Sequence, residues 1–113
     1  MADNKYEVIF AIVNSGYAQE AMDIAREQGV RGGTILNARG VVNEEAATFF
    51  GITLHQDKEI QMMVVEKDIR DKVLNALYSR MGMANKAQGI AFSLPVSDVA
   101  GLAQAIKPEE TEA

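Results

Sequence analysis

The sequence predicts an α+β fold: a ferredoxin-like β-α-β-β-α-β sandwich, with two helices on one face of an antiparallel sheet. Three observations lead there. The chain has 113 residues, 48% hydrophobic and 24% charged, which suits one globular domain with a single core. Runs dense in β-branched and aromatic residues alternate with two segments of helical periodicity. Finally, strand residues of both parities are apolar, notably Met62, Met63, Val64 and Val65. The sheet therefore has two apolar faces, and a chain this short has no further helices for the second. Another copy of the chain is the simplest cover, so a homo-oligomer is expected.

Each element has its own warrant. Tyr6 to Val13 carries one charge among β-branched and aromatic residues and reads as a central strand. Asn14 or Ser15 is a candidate cap for the following helix. In that helix Ala18, Ala21, Met22 and Ala25 form a narrow apolar stripe, and Gly29 suits its end. Val30 to Arg39 holds a second strand around Thr34, Ile35 and Leu36. Gly32 and Gly33 within it suggest a bulge or a close backbone approach.

A short helix is expected over Asn43 to Phe50, closed by Gly51, and a short strand over Ile52 to Leu54. His55 to Lys58 reads as a polar turn and Glu59 to Val65 as a strand. Glu66, Lys67 and Asp68 open the second long helix, whose apolar face is Ile69, Val73, Ala76, Leu77 and Met81. Gly82 to Gly89 is a loop, and Ile90 to Val96 a last strand with Pro95 near its end, as an edge position allows. Ser97 or Asp98 could cap a short helix to about Gln104. The domain is expected to span 1–106. Residues 107–113 form an acidic tail without an apolar face, expected to be disordered.

Composition excludes several function classes. The formal charge of −5, from 11 basic and 16 acidic residues, disfavours non-specific binding to nucleic acid or anionic membrane. With no cysteine and one histidine, thiolate chemistry and a multi-histidine metal site within one chain are absent. No apolar run approaches the ~20 residues of a membrane span. Met1 to Lys5 lacks the basic-then-apolar order of a secretory signal, so a cytoplasmic home is expected.

No nucleophile–base pair is visible, so an enzyme is not expected. His55 with Asp57 two positions on could ligate a metal, but two ligands in a turn make a weak site, and a solvated loop histidine is the plainer reading. The carboxylates Glu44, Glu45, Glu66 and Asp68 suit helix starts better than acid–base work. Two glycine-bearing segments hold more interest. In Arg31 to Gly40, glycines admit a ligand to backbone N–H groups, Thr34 offers a hydroxyl and Arg39 a fork of donors for phosphate or carboxylate. In Gly82 to Gly89, Lys86 stands beside Asn85 between glycines. Neither matches the phosphate-loop pattern, and each alone also reads as an ordinary bulge or loop.

Several segments in order resemble the PII family of signal-transduction proteins, in particular its PII-like branch. They are G-V-R-G-G-T-I-L-N-A-R-G (29–40), E-E-A-A-T-F-F-G-I (44–52), K-E-I-Q-M-M-V-V-E-K (58–67) and G-I-A-F-S-L-P-V (89–96). The resemblance covers roughly residues 6–103. It implies a homotrimer with an adenine-nucleotide site in each cleft between subunits, no obligatory cofactor, and a regulatory loop over 40–58 that controls a membrane transporter or metabolic enzyme. Carried over by position, Gly33 and Thr34 lie by the adenine, and Arg39 and Gly40 at the base of the regulatory loop. Gly82, Lys86, Gln88 and Gly89 form the phosphate-side loop, followed by Ile90. Two departures stand out. The family's glycine-aspartate-glycine-lysine run is here N-K-A-Q-G, and residues 98–106 lack the family's two arginines. Fewer cations favour AMP, ADP or another adenine compound over tightly bound ATP. Residues 40–58 contain no tyrosine, so the modification that family members carry there is not expected. The alternative reading is a trimeric protein of the divalent-cation-tolerance type, using His55 with Asp57 or Glu59. A scaffold whose glycines serve only the fold is a third.

Overall fold

In the computed structural model of the chain, residues 5–41, 57–82 and 85–101 are described. β1 (Tyr6–Asn14), α1 (Ala18–Glu27), β2 (Thr34–Arg39), β3 (Asp57–Glu66), α2 (Arg70–Met81) and β4 (Ile90–Pro95) follow in order. The sheet order is β2-β3-β1-β4, with every neighbouring pair antiparallel. This is the β-α-β-β-α-β order read from the hydrophobic pattern. The expected helix at 43–50, strand at 52–54, His55 and the 107–113 tail fall outside the described residues.

Strand alternation sorts the sheet into two faces. Ile9, Ala11 and Val13 of β1 and Met63 and Val65 of β3 are buried against the helices. From above, α1 contributes Ala18, Ala21, Met22, Ile24 and Ala25, and α2 contributes Val73, Leu77 and Met81. Three alanines on α1 let its backbone sit close to the sheet. The opposite face carries Val8, Phe10 and Ile12, then Ile60, Met62 and Val64, flanked by Leu36, Ile90, Phe92 and Leu94. No described element covers it. Leu36, Val64, Ile90, Phe92 and Leu94 are 40–52% exposed. Phe10 and Phe92, directly opposite in register, stack with centroids 5.4 Å apart.

Several boundaries differ from expectation. β3 starts at Asp57 because Asp57 and Lys58 pair with Arg39 and Ala38, so the polar turn does not reach Lys58. Lys67–Ile69 form a single 3-10 turn before α2 begins at Arg70. β4 ends at Pro95, which has no N–H to give the ladder, and residues 97–101 form no helix. Gly29 ends α1 with φ +108, as its left-handed freedom anticipates.

Two glycines serve close approach. A Cβ on Gly33 would stand 2.5 Å from Gln61 Nε2 and 2.8 Å from the Met62 carbonyl oxygen. A Cβ on Gly89 would run into the Met81 carbonyl oxygen, which accepts the Gly89 N–H at 2.7 Å. Two polar residues are buried with partial compensation. Glu7 pairs with Arg70 at 3.1 Å. The Arg70 guanidinium is held above its ordinary pKa by the hydrogen bond to Asp71 and then by Glu7, so it stays charged at any working pH. Gln61, fully buried, donates to Met22 Sδ at 2.8 Å, and its Oε1 has no partner among the described residues.

Gly89→Ala should destabilise the fold by about 2 kcal/mol, since backbone rather than a flexible side chain occupies the space. Gln61→Met should stabilise it by about 1 kcal/mol, because it removes an unpaired buried carbonyl and keeps the volume. Urea unfolding of each variant checks the opposite signs.

Candidate functional site

The bare apolar face ends in a polar cluster. The alternation that puts Val8, Phe10 and Ile12 on this face puts Asn14 at its end, and Lys58 follows Met62 and Ile60 in the same way. Asn14 is 4% exposed, and its carboxamide is fully engaged. Nδ2 donates to the Lys86 carbonyl at 2.9 Å and to Gln88 Oε1 at 3.2 Å, while Oδ1 accepts from Lys58 Nζ at 2.7 Å. The Asn14 N–H donates to the Ala87 carbonyl at 2.9 Å. Asn14 thus fastens the loop between α2 and β4 to the start of β3. Gln88 holds φ +48, a left-handed conformation unusual for a residue with a side chain.

Beside this cluster, Glu59 reaches the start of α1. Its Oε1 accepts the N–H groups of Gly16 and Ala18, each at 3.0 Å. Here a carboxylate from β3 caps the helix, and negative charge is favourable at that end. The expected cap by Asn14 or Ser15 is therefore corrected. Tyr17 is the N-cap residue, α1 has no side-chain cap from its own flank, and Asn14 is turned to the loop instead.

The charges are unbalanced in one direction. Lys58 is half-buried and its partner is a neutral amide. Lys86 and Arg39 are exposed, and no carboxylate of the described residues pairs with any of the three. Lys58 and Lys86, with no described carboxylate as partner and close to a glycine-flanked loop, suit an anion; Arg39 lies on the far edge strand.

The residues singled out from sequence fall into two groups. Gly82, Lys86, Gln88 and Gly89 lie in one loop that leads into Ile90 on β4. Gly33 and Thr34 lie at the start of β2, exposed, at the other edge of the sheet. Three strand spacings, about 14 Å, separate the two edges. Arg39 stands opposite Asp57 on the helix-side face, away from Asn14 and Lys58, with Gly40 half-buried next to it. One chain therefore assembles half of the expected site at each edge. Asn14 and Lys58 were not singled out from sequence as site residues. Among the described residues no group of three metal-ligating side chains forms, and no helix is long and apolar enough to cross a membrane.

By sequence, the chain matches no family model and no curated protein. By structure, it is similar to PII of Arabidopsis thaliana bound to citrate, with 26% identity and a TM-score of 0.66 over 90% of this chain and 84% of that one. It is also similar to a putative PII-like signaling protein of Thermus thermophilus, with 18% identity and a TM-score of 0.60 over 80% of this chain and 85% of that one. A functionally unknown protein of Pediococcus pentosaceus gives 18% and 0.61 over 87% and 98%. The sandwich is thus of the class found in small signalling proteins. The resemblance to the PII and PII-like proteins, read first from the segments at 29–40, 58–67 and 89–96, is supported by the structural neighbours.

Glu59→Ala should cost about 1 kcal/mol by uncapping α1, and Glu59→Gln less, because an amide oxygen can still accept. Thermal unfolding of the two variants side by side checks this order.

Proposed function

We propose that the chain is a PII-like regulatory protein, without catalytic activity of its own, that senses an anionic adenine compound. Three copies would turn their bare sheet faces inward. The β2 edge of one copy would then meet the β4 edge of the next, bringing Gly33 and Thr34 of one chain towards the 82–89 loop of another. The observation that carries this reading is the separation of the two half-sites onto opposite edges of a sheet whose second face no described element covers. In that seam Thr34 and backbone N–H groups would take the purine, and Lys86 with Lys58 the phosphate. Two lysines offset the charge of a mono- or diphosphate better than that of a triphosphate, which favours AMP or ADP. The citrate on the Arabidopsis neighbour is likewise a multiply charged small anion.

A ligand that binds one arrangement of the 40–58 segment better than another would shift its population, and with it the affinity for a partner. A membrane transporter or metabolic enzyme is the class of partner we propose, in the cytoplasm.

Calorimetry with AMP, ADP and ATP should show binding, with ADP or AMP at least as tight as ATP. Lys86→Ala should weaken ADP by about tenfold, the loss of one charge-assisted contact. Absence of heat and of any melting shift with all three nucleotides would contradict the reading.

A further inference from the structure

We infer that Asn14 is the positioning residue of the anion site: one buried carboxamide fixes both the Lys58 ammonium and the 85–88 loop. The inference rests on the proposed anion binding and adds to it how the cations are aimed. Three observations support it. The carboxamide spends its acceptor on Lys58 and its donors on Lys86 and Gln88, so none of its hydrogen-bonding groups is left over. Its contacts in the loop lie 72 and 74 residues away in sequence, and its contact with Lys58 lies 44 away, so no local turn accounts for them. The residue is also almost wholly buried, where an unmade hydrogen bond is costly, so each of the three contacts is worth keeping.

The chemistry follows from donor counts. A lysine ammonium has three N–H donors, and Asn14 Oδ1 takes one. A neutral acceptor orients the ammonium without neutralising it, so two donors and a full positive charge remain for an incoming anion. A carboxylate at the same place would form an ion pair and cancel that charge. The donors of the same amide hold the loop backbone that carries Lys86. The two lysines are thereby set relative to each other by a single group that need not touch the ligand.

A double-mutant cycle on the full chain tests this, with inorganic pyrophosphate and ADP as separate probes. Asn14→Ala should weaken both by about tenfold in the wild-type background, by less in the Lys58→Ala background, where only the loop contacts are left to lose, and by less than about twofold once Lys86→Ala is added, as expected for coupled residues. Amide hydrogen exchange without ligand supplies a second readout: Asn14→Ala should speed exchange at Gln88 and Gly89, whereas Lys58→Ala should leave both unchanged. Should Asn14→Ala fail to fold, Asn14→Ser takes its place. Additive losses, or wild-type binding by the Asn14 variant, would overturn the inference and leave the nucleotide reading intact. Binding of pyrophosphate without binding of any nucleotide would overturn the nucleotide reading, and the cycle in pyrophosphate would still decide the role of Asn14. If the wild type binds neither probe, both fall.

Discussion

A sheet that is apolar on both faces, with helices among the described residues for only one of them, is the constraint on which the rest depends. Ile9, Ala11, Val13, Met63 and Val65 have their cover in α1 and α2. Val8, Phe10, Met62 and Phe92 on the other side have none among the described residues. Apolar area left in water costs free energy in proportion to its extent, at about 25 cal/mol per Å². A surface of contiguous large apolar side chains across four strands is therefore a surface that meets something. The same constraint explains why the proposed site residues look scattered. They flank the bare face at its two edges and its polar end, which is where a packed neighbour would leave a seam.

The polar end of that face is built with economy of parts. Asn14 and Lys58 face each other on one rung of the β1–β3 ladder and Glu59 sits on the next, yet they do different work because strand alternation points them differently. Glu59 goes to the helix side and caps α1. Lys58 and Asn14 go to the bare side and meet the loop. A shift of one residue in β1–β3 register would exchange these roles and expose the core face, so register and site are specified by the same hydrophobic pattern.

Much of this was legible in the sequence, and the failures have a common cause. The four strands and two long helices follow from short apolar runs and the i, i+3, i+4 spacing, which are local signals. Gly33 is readable as a close-approach glycine because it stands directly before the strand-forming residues Thr34, Ile35 and Leu36. Asn14 was misread as a helix cap because an asparagine between a strand and a helix is locally the best cap available. Its actual partners are supplied by tertiary pairing, which local patterns do not reveal. Lys58 was absorbed into a polar turn for the same reason, since its place in β3 is fixed by Ala38 and Asn14 on neighbouring strands. The short helix expected after Ser97 does not start within the described residues up to Gly101, because a capping residue alone does not nucleate a helix.

Sedimentation equilibrium of the full chain across a wide concentration range tests the central claim most directly. A single species of three times the 12.3 kDa chain mass, reduced to one chain by Phe92→Glu on the bare face, is the result predicted. A wild-type chain that stays monomeric at every concentration would show that the sheet's second face needs no copy of itself, and would leave the two half-sites at opposite edges with nothing to join them.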